Sequence, residues 1–86
     1  AIKHDYTFFD SYIEKGSILF EMKKYTEALK VLNLALTISP KYPETYYWIA
    51  KCQQALGQKE EAKLNYQRAF SLDQGFKAAK DSADKL

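Results

Sequence analysis

The sequence predicts an all-α chain built from antiparallel helix-turn-helix hairpins, and three observations lead there. Apolar residues recur at helical spacing in four windows, with no convincing run of period-two alternation. Stop signals separate the windows: Ser39-Pro40, Gly57 and Asp73-Gln74-Gly75. The pattern of small and aromatic residues also repeats at a shift of 34.

The first window runs from about Tyr6 to Met22, with Tyr12, Gly16 and Leu19 on one face and Phe9, Ile13 and Phe20 on its neighbour. Asp5 or Thr7 is the expected cap, since a short side-chain oxygen accepts from a free N–H of the first turn. The second begins near Thr26 for the same reason and carries Ala28, Leu29, Leu32, Ala35, Leu36 and Ile38. Pro40 punctuates it, because proline disfavours helix in the residue before it. The third opens at Pro43, where a missing N–H costs little, and runs through Tyr46, Ile49, Ala50 and Gln53 to Leu56. Gly57 suits a left-handed cap there. The fourth spans about Lys59 to Leu72, with Ala62, Tyr66, Ala69 and Phe70 inward, and Glu60 and Glu61 complement the dipole of its first turn. A tail from Phe76 to Lys85, carrying Phe76, Ala79 and Ala83, has too little apolar surface to stand alone and reads as a capping helix.

Composition bounds the function. The 86 residues suffice for one modest core, and 47% hydrophobic content with 15% aromatic is too apolar for a disordered tail. The longest uncharged stretch, Val31 to Pro40, is interrupted by Asn33, Thr37 and Ser39 and is far shorter than the ~20 apolar residues that span a bilayer. A soluble chain without membrane contact is expected, with no targeting segment and no assignable compartment. Thirteen Lys and Arg against 11 Asp and Glu leave a net charge of +2, and the lysines alternate with acids (Lys59-Glu60-Glu61, Asp81 to Lys85). No basic stripe for nucleic acid forms.

Catalytic and metal chemistry find little support. Cys52 is the single cysteine and His4 the single histidine, so neither a disulfide nor a zinc cluster is available within the chain. Cys52 is expected as a small buried filler, and His4 as an exposed residue. Glu60 and Glu61 are neighbours on a helix, about 100° apart, and a helix N-terminus explains both. No cofactor and no enzymatic activity are expected.

Laying residues 9–42 over 43–76 sets Tyr12 on Tyr46, Gly16 on Ala50, Glu27-Ala28 on Glu61-Ala62, Ala35 on Ala69 and Tyr42 on Phe76. Helices whose axes lie about 8 to 10 Å apart interdigitate only where side chains are small. Gly16 with Ala28, and Ala50 with Ala62, are expected to give that relief within each hairpin, and Ala35 and Ala69 to admit the next one. This pattern resembles the tetratricopeptide repeat, whose period is 34 residues. Repeat one (9–42) shows Tyr12, Gly16, Tyr25, Ala28, Ala35 and Pro40; repeat two (43–76) shows Tyr46, Ile49, Ala50, Gly57, Ala62, Tyr66 and Ala69. Residues 77–86 would cap a single domain of residues 1–86. The departures are Lys15, Lys23, Lys59 and Gln74, at positions where the family usually has an apolar residue, glycine, an aromatic and proline.

The resemblance implies a short right-handed solenoid that presents a concave groove, lined by the first helix of each repeat, to an extended peptide or a helix of a partner. The groove candidates are Asp10, Ile13, Glu14, Ser17, Phe20 and Glu21 in repeat one, and Glu44, Tyr47, Trp48, Lys51, Gln54 and Ala55 in repeat two. The best-known members clamp C-terminal carboxylates of chaperones with lysine, asparagine, asparagine, lysine and arginine. Those positions fall here on Ile13, Ser17, Trp48, Ala78 and Ser82, none of which offers an ammonium, amide or guanidinium. The expected function is therefore protein–protein interaction without a carboxylate clamp, favouring an apolar or basic segment over an acidic tail. The alternative is a structural module that forms a homo-oligomer or belongs to a longer array. Its contact faces would be Leu64 and Phe70 with Phe76 and Ala79 at one end and Phe8 with Phe9 at the other.

Overall fold

In a computed structural model of the chain, residues 3–86 are described, with side chains from residue 12 onward. Five helices follow one another: α1 (Lys3–Glu21), α2 (Tyr25–Ile38), α3 (Pro43–Ala55), α4 (Lys59–Leu72) and α5 (Lys77–Asp84). No strand occurs among the described residues. Each helix packs on the next, and α1 also touches α3. The molecule measures 40 × 29 × 18 Å, so its thinnest dimension holds two helix layers of about 10 Å each.

The backbone repeats more faithfully than the side chains. Lys23 N–H donates to the Phe20 carbonyl and Lys24 N–H to Leu19, closing α1 in a Schellman turn. Gly57 and Gln58 close α3 in the same way on Gln54 and Gln53. Both turns place their fifth residue in the left-handed region, Lys23 at φ 64° and Gly57 at φ 86°. Lys23, where the family usually has glycine, adopts the glycine geometry at a steric cost. Ser39 N–H donates to Ala35 and Asp73 N–H to Ala69, so the second helices also end alike.

The helix starts differ from expectation. Tyr25, not Thr26, is the first residue of α2, and Lys24 precedes it with no side-chain cap. The Lys24 carbonyl accepts from Ala28 N–H, and the tight turn before it leaves no need for a hydroxyl. Asp5 and Thr7 lie inside α1, since the helix already runs from Lys3.

Two linked cores hold the stack. One gathers Ile13 of α1, Ala28, Leu32 and Ala35 of α2, and Ile49 and Cys52 of α3. The other gathers Ala50, Ala62, Tyr66 and Ala83, joining α3, α4 and α5. Ala28, Ala35, Ala50, Ala62 and Ala69 are all fully buried, as close helix approach requires. Gly16 is buried too, but what fills the space above it is Leu32 rather than Ala28: an added Cβ would meet Leu32 Cδ2 at 2.6 Å and Cγ at 2.7 Å. Tyr12 packs on the first core, half-buried. Tyr46 donates its hydroxyl to the Pro40 carbonyl at 2.8 Å. Pro40 is itself exposed, so it serves as turn and acceptor and not as packing. Thr45, unremarked in the sequence, is fully buried, and its hydroxyl has no partner among the described residues.

Candidate interaction surface

Helices α1, α3 and α5 share one side of the slab, and aromatic side chains cross it as a continuous strip. Tyr25 and Phe20 have ring centroids 5.4 Å apart, Phe20 and Trp48 5.7 Å, and Trp48 and Tyr47 5.9 Å. Tyr47 then meets Tyr66 at 5.6 Å and Phe76 at 4.9 Å. Most of these contacts are edge-on or steeply tilted, the arrangement that the ring quadrupole favours. Phe20, Tyr25, Tyr47, Trp48 and Phe76 are each half-buried, packing inward while keeping part of the ring toward solvent, whereas Tyr66 is buried.

Lys51 extends over this strip. Its ammonium stands 5.2 Å from the Trp48 centroid, 5.3 Å from Tyr47 and 5.4 Å from Phe20. Trp48 is inclined by 65° to Phe20 and by 77° to Tyr47, so the rings form walls around one cation. Lys51 follows Trp48 by three residues and Tyr47 by four on α3, the spacings that bring its side chain over both rings.

Beside the rings opens a cavity of about 490 Å³, lined by Phe20, Lys51, Gln54, Ala55, Tyr66, Ser82 and Lys85. Tyr66 donates its hydroxyl to Gln54 Oε1 at 2.8 Å. Burial, with a smaller contribution from Tyr47, pushes the Tyr66 phenol up to about 12, so it remains a neutral donor at physiological pH. Neighbouring Gln53 accepts from Asn65 Nδ2 at 2.7 Å and donates to Glu61 at 3.3 Å, which ties α3 to α4 behind the cavity.

The structure brings Phe20, Tyr47, Trp48, Lys51, Gln54 and Ala55, all groove candidates, together around the strip and the cavity. It places others elsewhere. Ile13, a groove candidate, is only 6% exposed and belongs to the core, because it points between α1 and the α2 and α3 residues of the first cluster. Ser17 is half-buried, with its hydroxyl donated to the Glu14 carbonyl one turn back. Glu14 is exposed and lines a separate hollow with Lys15, Ile18 and Leu19. Glu21 and Glu44 are exposed and line no part of the cavity. The side chains of Asp10, His4, Phe8 and Phe9 lie outside the described residues. Lys85, Ser82 and Tyr66 were not among the groove candidates; they reach the cavity because α5 folds back on α4, which helical periodicity alone does not reveal.

The expected contact face at the C-terminal end is also revised. Ala79 is fully buried and Phe76 is stacked on Tyr47, while Lys80 covers Phe70 with its ammonium 5.7 Å from the ring centroid. Of that face, Leu64 stays open at 56% exposed.

Cys52 is fully buried in the first core, and burial raises its thiol to about 11 against a weak opposing effect of Lys51. It is a filler. No group of three or more His, Cys, Asp and Glu side chains suited to a metal ion occurs among the described residues. No described helix is long and apolar enough to cross a membrane.

Similarity to known proteins agrees with this architecture. Residues 16–57 match the TPR repeat family and residues 43–76 match the tetratricopeptide repeat. The chain is 31% identical over 87% of its length to heat shock protein STI1 of Saccharomyces cerevisiae, covering 13% of that protein. It is 35% identical over 73% of its length to an Hsp70-Hsp90 organizing protein of Triticum aestivum, covering 11%. Against a DnaJ homolog subfamily C member 7 homolog of Dictyostelium discoideum it is 32% identical over 72%, covering 12%. The chain therefore spans about an eighth of the length of these relatives. No solved structure matches. Two helical hairpins repeating at 34 residues, closed by equivalent turns and matched across both, make this chain a member of the tetratricopeptide repeat family.

Proposed function

We propose that the chain is a protein-interaction module that receives an apolar segment of a partner, peptide or helix, on the concave side formed by α1, α3 and α5. The observation that carries this reading is the aromatic strip from Phe20 through Trp48 and Tyr47 to Phe76, solvent-facing and adjoining a cavity of about 490 Å³. Half-buried aromatic rings held rigidly by one another give contact area at low entropic cost on binding. Similarity to an Hsp70-Hsp90 organizing protein supports a binding role in place of chemistry.

The five-residue carboxylate clamp is not the mode of recognition in this reading. Ile13 is in the core, the Ser17 hydroxyl is engaged with Glu14, and Trp48 belongs to the strip. The expected preference for a basic segment narrows to an apolar one. Lys51 and Lys85 line the cavity, no Asp or Glu is among its lining in the described residues, and Glu14 lines a different hollow.

The test is a titration of the chain with peptides sharing one apolar, aromatic-bearing centre and differing in acidic, neutral or basic flanks, followed by Trp48 fluorescence. Binding that requires the apolar centre, and that Tyr47→Ala weakens, is the expected result. Binding of a wholly polar peptide as tight as the apolar one would overturn the reading.

A further inference from the structure

The cavity beside the aromatic strip has a chemical bias that the strip itself lacks. Four helices build its wall: Phe20 comes from α1, Lys51 and Gln54 from α3, Tyr66 from α4 and Ser82 from α5, with Lys85 just beyond α5. Its polar ends lean to donors. Gln54 spends its side-chain oxygen on the Tyr66 hydroxyl at 2.8 Å, which leaves the amide N–H groups as its free end. The Lys51 ammonium lies against the Phe20, Tyr47 and Trp48 rings and makes no hydrogen bond or ion pair among the described residues. Ring faces attract its charge but supply no oxygen lone pair to its N–H donors. Lys85 adds a second cation, and no Asp or Glu lines the cavity among the described residues.

The place of the cavity along the strip decides which part of a bound segment reaches it. The rings run from Tyr25 through Phe20, Trp48 and Tyr47 to Phe76. Phe20 stands in the cavity wall, and Lys51 touches the three rings in the middle of that series. A segment laid along the rings therefore passes the cavity with chain continuing on both sides. It presents a side chain there, and its terminus lies elsewhere.

We infer that the partner segment carries an aspartate or glutamate side chain among its apolar residues, and that this internal carboxylate enters the cavity against Lys51 and Lys85. The inference rests on the aromatic strip being the binding face and names the polar half of what that face recognises. Lys51 is the specificity-determining residue. Three rings already hold its side chain, so pairing with a carboxylate orders little that was free. The same rings keep water from one side of the pair, which strengthens the attraction. A lysine at that point of the segment would instead meet two like charges. Of the five clamp positions only Ser82 lines this cavity, and the carboxylate here belongs to a side chain inside the segment.

The experiment is isothermal titration calorimetry of the chain with alanine-based peptides, acetylated and amidated, that share a leucine-phenylalanine centre. They carry glutamate, glutamine or lysine at each flanking position in turn. At one of these positions the glutamate peptide is expected to bind about fivefold tighter than the glutamine peptide at low salt, with lysine weakest and the margin shrinking as salt is added. Lys51→Met brings the glutamate peptide down to the level of the glutamine one, Lys51→Arg keeps the margin, and Lys85→Gln reduces it. Equal binding of glutamate and glutamine peptides at every position overturns the inference and leaves the strip as binding face intact. A margin unchanged in Lys51→Met overturns it as well, by placing the cation elsewhere. So does a gain seen only when the glutamine peptide keeps a free C-terminal carboxylate, which makes a chain end the ligand. Binding by none of the peptides overturns the binding face itself and this inference with it.

Discussion

The ammonium of Lys51 lies 5.2 Å from the ring centroid of Trp48, one turn back on the same helix, and the Phe20 ring of α1 closes the other side at 5.4 Å. One cation thereby links two helices that belong to different repeats. A cation over aromatic faces contributes about 0.5 to 1 kcal/mol at an exposed site. Lys51→Met, which keeps the length and loses the charge, should lower stability by about that amount and change Trp48 emission, whereas Lys51→Arg should retain both. Urea unfolding followed by fluorescence measures the difference; equal midpoints for all three proteins would remove the cation from the account.

Gly16 of α1 and Leu32 of α2 pack closely enough to leave no room for a Cβ at position 16. Alanine at position 16 gains about 1 kcal/mol of intrinsic helix preference but places a Cβ 2.6 Å from a fully buried leucine methyl. Overpacking of this kind costs about 1 to 3 kcal/mol. Gly16→Ala is expected to destabilise by about 1 kcal/mol net, and to become neutral or stabilising in a Leu32→Ala background, where the clash is gone. A double-mutant cycle by thermal or urea unfolding reads the coupling directly.

Lys23 holds a left-handed backbone that costs a residue with a Cβ about 1 to 2 kcal/mol. Lys23→Gly should stabilise by about 0.5 to 1 kcal/mol after the added chain entropy is counted. Gly57→Ala should lose a similar amount although no atom lies within 4 Å of the added Cβ, which isolates backbone strain from packing. Circular dichroism melts of both variants check the opposite signs.

Thr45 keeps a buried hydroxyl without a partner among the described residues. Burying such a group costs about 1 to 3 kcal/mol on the scale of protein mutations. Thr45→Val, nearly the same shape, is expected to raise stability by about 1 kcal/mol. Thr45→Ser should not, since it keeps the hydroxyl and removes a buried methyl.

Cys52 and Tyr66 make the fold sensitive to base. Burial raises the thiol from 9.0 to about 11 and the phenol from 10.0 to about 12 in the folded chain. Above pH 9 the unfolded chain releases these protons first, so it binds fewer than the folded one and stability falls with rising pH. Their contribution is full below pH 9 and is lost as pH climbs through the range from 9 to 12. Cys52→Ala and Tyr66→Phe should each flatten part of that decline. A thiol reagent should modify Cys52 at pH 8 only as fast as the chain opens.

Much of the fold was legible in the residues themselves. The 3.6-residue periodicity around Ala28, Ala35, Ala62 and Ala69 marked the packed helix faces, Pro43 and Gly57 marked α3, and the shift of 34 paired the hairpins. Propensity failed at helix starts: Thr26 is a good cap residue, but the Schellman turn through Lys23 fixes where α2 begins, and that turn depends on how α1 and α2 pack. Within the surface, Tyr47, Trp48 and Phe20 were readable as a group because α3 and α1 present them in register.

What the sequence by itself determined is the set of elements and their repeat, since helical periodicity, turn residues and small side chains are local properties. Tertiary structure alone decided the character of the binding face. It drew Ile13 into the core, joined six rings into one strip, brought Lys85 into the cavity that Lys51 also lines, and covered α4 with α5. These outcomes depend on which helices become neighbours and on whether each face finds one, and a linear pattern does not contain that information.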